Sequence, residues 1–404
     1  MKYIDGSVTA PLGFQASGMH CGIRKNRSKK DLALIFSQQE CDAAAVYTQN
    51  KVKGAPITVT KQHLANGKAR AVICNSGNAN TCNADGEEIA DLMCKHTARV
   101  LGISEDDVIV ASTGVIGQPL PVEPIISSLP KLAGLLADDG AAQAAEAIMT
   151  TDTRKKEVAV EFLLNGKPCR IGGIAKGSGM IHPNMATMLC FLTTDADIDS
   201  GLLAQALTAS VMKSFNMVSI DGDTSTNDMV SILASGLCGS GRIVSADESY
   251  QTFCGALDEI TISLAREVAR DGEGATKLLE CRVTGAKTEQ AAKAVAKSVI
   301  GSSLFKAAMF GADANWGRVL CAVGYADADL DIGKVDVAFE SENGLIEVCK
   351  CGAGLDFSEE KARSVLIHDE IVIHISLGDG EFEAAAWGCD LTYDYVKING
   401  DYRT

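Results

Sequence analysis

Thr187 stands at the head of the apolar run 188–192, after the glycine-interrupted stretch Lys176-Gly-Ser-Gly-Met-Ile-His-Pro-Asn-Met-Ala. Short apolar runs bounded by turn signals read as buried strands. A hydroxyl at the mouth of such a strand, approached by a pliable loop, is well placed to act as a nucleophile. It is also placed to cut its own chain. The hydroxyl can attack the carbonyl of Ala186 and shift the peptide to an ester, whose hydrolysis leaves Thr187 as a new N-terminus. The freed α-amine titrates near about 7.7–8.0 and can serve as the base for the same hydroxyl. Thr is also common at strand starts that do no chemistry, so the residue types alone leave both readings open.

Three further positions carry usable groups. Lys176 opens the glycine loop, where its ammonium can hold a carboxylate or remain a solvated surface charge. Thr113-Gly114 ends a strand-then-turn pattern over 107–114 and offers consecutive backbone N–H groups and a hydroxyl, a combination able to stabilise an oxyanion. Glu273 lies between Gly272 and Gly274, so its carboxylate can be aimed at an amine. By contrast, Asp221-Gly-Asp-Thr-Ser-Thr-Asn-Asp fails as a calcium loop, because Thr226 takes the sixth position and Ile232 the twelfth. Neither Gly177-Ser-Gly nor Gly239-Ser-Gly matches a phosphate-binding template.

The elements that must position these groups read as a mixture. Strands are expected over 31–36, 43–48, 69–74 and 107–114, and a hairpin over 157–175 turning at Asn165-Gly166. Helices are expected over 85–101, 143–149, 201–217, 251–270 and 288–300, and a further one within 307–325 after the turn 313–318. Beyond 334 the alternating runs 335–339, 344–349, 370–377 and 382–386 predict antiparallel strands. Strands and helices without a regular βαβ rhythm predict an α+β fold.

The motif Lys176-Gly-Ser-Gly-Met, followed by Pro183-Asn-Met-Ala-Thr-Met-Leu, closely resembles the ornithine acetyltransferase, or glutamate N-acetyltransferase, family (ArgJ). So do Asn75-Ser-Gly-Asn-Ala-Asn, Ser112-Thr-Gly-Val-Ile-Gly, Met149-Thr-Thr-Asp-Thr, Asp221 to Asp228, Asp313-Ala-Asn-Trp-Gly-Arg and the terminal Asn399-Gly-Asp-Tyr-Arg-Thr. They fall in order over essentially the whole chain.

The resemblance implies layered mixed sheets covered by helices, with the active site between an α segment, 1–186, and a β segment, 187–404, separated by autocatalytic cleavage. It implies ping-pong acetyl transfer from N2-acetyl-L-ornithine to L-glutamate through acetyl-Thr187, with acetyl-coenzyme A as a further donor in bifunctional members. Thr113 and Gly114 would form the oxyanion hole. Thr150, Thr151, Lys176, Thr187, Glu273, Asn399 and Thr404 would bind substrate, the last two from an ordered tail. No cofactor or metal is implied, and two αβ units would associate as α2β2. Two other readings use the same residues: an N-terminal-nucleophile amidohydrolase that passes the acyl group to water, and a non-catalytic amino-acid-binding protein that never cleaves.

Composition limits the alternatives. The 404 residues predict two or three domains with sizeable cores. A net charge of −15 disfavours nucleic acid and anionic membranes as partners. No stretch of about 18 apolar residues suggests a membrane span, and the first residues resemble neither a signal nor a transit peptide. None of the 14 cysteines forms a C-x-x-C pair. They predict reduced core thiols in a cytoplasmic protein rather than a metal or disulfide framework.

Overall fold

The computed structural model describes residues 1–182 and 188–400. Its strands, in chain order, are β1 (Lys2–Tyr3), β2 (Phe14–Met19), β3 (Leu32–Tyr47), β4 (Lys68–Asn78), β5 (Val108–Val115), β6 (Lys156–Leu164), β7 (Lys167–Lys176) and β8 (Leu189–Thr194). There follow β9 (Val218–Ser219), β10 (Met229–Ala234), β11 (Leu278–Ala286), β12 (Asp336–Ser341), β13 (Gly344–Lys350), β14 (Ala353–Gly354), β15 (Glu370–Ser376) and β16 (Phe382–Cys389). Among the described residues they make two mixed sheets. One runs β1-β6-β7-β8-β10-β3-β4-β5, with β2 on β3; the other runs β14-β13-β12-β15-β11-β16-β9.

The helix Glu248–Arg270 joins these sheets. Its Phe253, Leu257, Ile260, Leu264 and Val268 recur every three or four residues, so one stripe is apolar and buried. It packs on β6 and β7 of one sheet and on β11 and β16 of the other. The helices Gly86–Leu101 and Glu123–Gly134 bury Met93, Ile125, Leu129 and Leu132 in a separate core with β3, β4 and β5. The architecture is the expected layered α+β arrangement.

β8 lies in the middle of the first sheet, antiparallel to β7 (Lys176↔Leu189) and parallel to β10 (Met229↔Leu189). β10 in turn pairs antiparallel with β3. Strands from beyond residue 188 are therefore clasped on both sides by strands from before residue 182. The β6–β7 hairpin turns at Asn165 and Gly166, both with positive φ, as Asn-Gly predicts.

Three expectations need correction. The two strands predicted over 31–48 are one, β3, because a bulge between Phe36 and Cys41 absorbs the intervening polar residues. The strands expected beyond 334 do pair antiparallel where they meet, β12 with β13 and with β15, but their sheet is mixed, because β15 also runs parallel to β11, a strand not expected from the sequence. Nor are the cysteines all in the core, for Cys82, Cys321 and Cys351 are exposed. Among the described residues no helix is long and apolar enough to cross a membrane.

Candidate active site

Lys176 is the last residue of β7 and is only 8% exposed. Its Nζ donates to Thr113 Oγ1 at 3.4 Å, which leaves the Thr113 hydroxyl hydrogen free to be donated in turn. Thr113 and Gly114 sit at the end of β5, where the parallel register with β4 breaks between Gly77 and Asn78. Gly114 has φ +135°, and a Cβ there would lie 2.6 Å from the Asn78 nitrogen and meet the Gly77 carbonyl carbon. Only glycine fits this crossing of two strand ends.

The asparagine-rich end of β4 and the residues just beyond it hold this turn. Ser112 Oγ donates to Asn75 Oδ1 (2.6 Å), and Asn227 Nδ2 donates to the carbonyls of Ala79 and Ser112 (2.5 and 3.0 Å). Asn227 belongs to the 221–228 turn, which is structural polar chain here, as expected. The two Asp221 carboxylate oxygens accept from Met180 N and Ile181 N (2.6 and 2.8 Å), fixing the far side of the glycine loop.

A buried ion network underlies the same loop. Lys156 Nζ donates to Asp152 (2.7 Å) and Asp271 (2.6 Å), with all three side chains at most 2% exposed. Asp152 Oδ1 also accepts from Gly177 N (2.8 Å), and its Oδ2 accepts from Thr150 N (2.9 Å). One carboxylate thus ties the residue after Lys176 to Thr150. Burial pushes the Asp152 carboxyl up, but the Lys156 and Lys176 ammoniums and its hydrogen bonds outweigh burial and hold it well below the usual carboxylate range. Arg154 reaches Asp271 from the surface at 3.8 Å, so both buried carboxylates have cations beside them.

Asp228, just before β10, is the counterpart. Met229 N donates to Met188 O (2.9 Å), so Asp228 lies at the start of β8 as well as of its own strand. Its carboxyl is 3% exposed, and Oδ2 has no hydrogen-bond partner among the described residues. Burial raises this carboxyl well above the ordinary value, against the opposing pull of a Ser225 hydrogen bond and the Lys176 charge. Its buried site thus favours the protonated form.

Glu273 closes the opposite side. Its N–H donates to Ser178 O (2.9 Å), and its Oε2 accepts from Asn399 Nδ2 (2.7 Å) at the end of the helix Tyr393–Asn399. A Cβ on Gly179 would lie 2.6 Å from Glu273 Oε1, so the carboxylate reaches the loop only because Gly179 has no side chain. Thr150 and Thr151 are half-buried. Thr150 lines a cavity of about 630 Å³ together with Gly77, Asn78, Arg24, Lys25 and Lys29.

Lys176, Thr113 and Gly114 thus meet, and Thr150, Glu273 and Asn399 are linked to the same loop by hydrogen bonds. Ala186, Thr187 and Thr404 lie outside the described residues. The sequence reading passed over Asp152, Lys156, Asp228 and Asp271, which hold or face the loop. Their signal was a charged residue inside or beside an apolar segment, as at Asp228 before 229–234. Chemically the site offers a cation, a hydroxyl next to a peptide N–H, and two carboxyl groups, those of Asp228 and Glu273. That set suits an acyl-transfer reaction on a substrate bearing a carboxylate and an amine.

Comparison with known proteins agrees. The family model described as "ArgJ family" matches residues 15–404. "Arginine biosynthesis bifunctional protein ArgJ 1" of Clostridium acetobutylicum is 50% identical over 97% of this chain and 96% of its own length. "Arginine biosynthesis bifunctional protein ArgJ" of Caldanaerobacter subterraneus subsp. tengcongensis is 49% identical over 100% of both. A crystal structure of "Arginine biosynthesis bifunctional protein argJ" from Bacillus halodurans superposes with a TM-score of 0.50 at 46% identity, covering 52% of this chain and 98% of that one.

Proposed function

The chain belongs to the ArgJ family, and from that premise we propose that it is an arginine-biosynthesis acyltransferase moving an acetyl group from N2-acetyl-L-ornithine to L-glutamate through an ester on Thr187. The chain first cuts itself between Ala186 and Thr187 into segments 1–186 and 187–404. The interleaved sheet supports this, since β8 and β10 stay hydrogen-bonded to β7 and β3 without the connecting peptide. The crystallised relative also fits, because nearly all of its chain corresponds to about half of this one.

In the first half-reaction Thr187 Oγ attacks the acetyl carbonyl while the Thr187 α-amine takes the hydroxyl proton. The C–N bond breaks as that proton passes to the departing ornithine amine. In the second, the glutamate α-amine attacks the ester and gives up a proton to the Thr187 α-amine, and the C–O bond breaks as that proton passes to the Thr187 oxygen. The Thr113 hydroxyl and the Gly114 N–H take the oxyanion of each tetrahedral intermediate. Lys176 holds the substrate α-carboxylate and adds positive field beside Thr113. Glu273 meets the ornithine side-chain amine, Thr150 and Thr151 contribute hydroxyl contacts, and Asn399 and Thr404 complete the pocket.

The reading rests most on one contact, the 3.4 Å Lys176–Thr113 hydrogen bond, which joins the segment entering Thr187 to the Gly114 turn. Acetyl-coenzyme A is a second donor in this reading. The cavity bearing Arg24, Lys25 and Lys29 supports it by offering cations to a phosphorylated carrier. The working form is α2β2 in the cytoplasm.

Thr187→Ala tests the proposal. The variant should run as a single 42.4 kDa chain under denaturing conditions and transfer no acetyl group, whereas the wild type gives two fragments. Normal transfer by uncut wild type would sink it. Release of free acetate with none reaching glutamate would instead assign the site to an amidohydrolase.

A further inference from the structure

At the ends of β7, β8 and β10 remote from Lys176, three donor atoms converge. They are Cys169 Sγ on β7, a carboxylate oxygen of Asp195 just after β8, and Cys238 Sγ shortly after β10, all within 4.8 Å of one another. Neighbouring strands fix this meeting. Asp195 N donates to Arg170 O (3.3 Å) and Cys238 N to Asp195 O (2.8 Å). Cys169 and Asp195 are buried, while Cys238 is part-exposed and so gives a path from solvent.

Two facts single this cluster out. The Asp195 carboxylate is 1% exposed, yet among the described residues no cationic side chain pairs with it. It accepts backbone N–H groups from Arg170 (2.7 Å) and Leu12 (3.0 Å) and a side-chain hydrogen bond from the Cys169 thiol. The Arg170 guanidinium turns away to Glu161 and the Ala10 carbonyl. Buried charges are as a rule paired or bound to metal. The companions of this one are two thiols, whose ionised forms add negative charge and prefer soft cations.

We infer that Cys169, Asp195 and Cys238 form a binding site for a soft divalent cation of the zinc class, separate from the acetyl-transfer site. Tetrahedral Zn²⁺ takes thiolates at about 2.3 Å and carboxylate oxygen at about 2.0–2.2 Å. A donor set already this close reaches those distances by side-chain shifts of about an ångström. The backbone N–H bonds to Asp195 play the orienting part that outer hydrogen bonds play at zinc sites, and they leave its outward lone pairs for the metal. Three protein donors leave a fourth position for water or for the Ser240 hydroxyl, which lies 3.1 Å from Cys238 Sγ. The glycine-rich turn 236–241 carries Cys238 and can adjust without moving the strands.

The test uses the full chain, stripped with a chelator and titrated with Zn²⁺ against a chromogenic chelator. Wild type should take up one tight equivalent, and Zn²⁺ should raise its Tm. Cys238→Ser and Asp195→Asn should each weaken binding by about 100-fold. Cys238 is part-exposed, so its serine variant should keep the metal-free Tm of wild type and serve as the folded control. Co²⁺ in place of Zn²⁺ should give a thiolate-to-metal charge-transfer band that Cys238→Ser loses. Equal Zn²⁺ uptake by wild type and Cys238→Ser would overturn the inference. So would the absence of the Co²⁺ band in wild type.

Discussion

The strands β7, β8 and β10 lie side by side, and their two ends handle buried charge in opposite ways. At the Lys176 end, Asp152 and Asp271 are answered by Lys156, by Arg154 and by the Lys176 charge, and burial raises the carboxyl of Asp228, with which no cation pairs among the described residues. At the other end, about 20 Å away for a six-residue strand, Asp195 has backbone N–H groups and two thiols for company. A cross-braced end that presents both signs of charge suits a zwitterionic amino acid. An end with surplus negative charge suits a cation. The sheet is common to both, so the chemistry follows from which charges its loops bring.

The comparison breaks most readily at the ion network. Asp152→Ala leaves Lys156 with one carboxylate and frees Gly177 N and Thr150 N. Losing one partner of a buried pair costs about 3–5 kcal/mol. Denaturant unfolding should show that loss, with acetyl transfer falling in the protein that remains folded. A stability change within about 0.5 kcal/mol would mean that the end is not organised by this network. The wild-type contribution also has a pH signature. Because the Asp152 carboxyl is depressed in the folded state, its stabilisation is complete above the unfolded value of about 3.9 and is lost as pH falls below it.

Next in size is Gly114→Ala, which forces a side chain into the Gly77–Asn78 backbone at φ +135°. Disturbing one oxyanion donor costs about 10²–10³ in kcat, so a drop of that order is expected. Zn²⁺ uptake at the far end should be unchanged, and its loss would show that the two ends are not independent.

Much of this was legible in the chain, and the rest fails for physical reasons. Asn165-Gly166 announced its hairpin because a two-residue turn is a local event. Lys176, Thr113 and Gly114 were marked by motif, and local loop chemistry explains the glycines among them. What could not be read was partnership across the sheet. The run 229–234 looks like any apolar strand, and nothing local says that it lies parallel to β8, which is what brings Asp228 to Lys176. Nothing local marks Asp152 and Lys156 as buried, because Asp271, which pairs with Lys156, stands more than a hundred residues on.

Asp228 sharpens the contrast with Asp152, for the two should bend the stability curve in opposite directions. A raised folded value means that the stabilisation from Asp228 is complete below about pH 3.9 and is lost as pH rises through that raised value. Asp228→Asn keeps the shape and cannot ionise. As pH rises above about 3.9 its Tm should therefore fall less than that of wild type. Parallel curves for the two proteins would mean that Asp228 is ionised in the fold and that the Lys176 end carries an unbalanced charge.

The smallest effect tests where the reaction end stops. Asn399 is exposed, and among the described residues it reaches the site through the 2.7 Å hydrogen bond to Glu273. If the terminal helix only covers the site, Asn399→Ala should leave the kinetics unchanged. If it aims the Glu273 carboxylate at an ornithine amine, losing a bond worth about 1 kcal/mol should raise KM for N-acetylornithine roughly fivefold. The KM for glutamate, which has no side-chain amine, should stay put. That asymmetry is the useful readout, because general loosening of the helix would move both constants together.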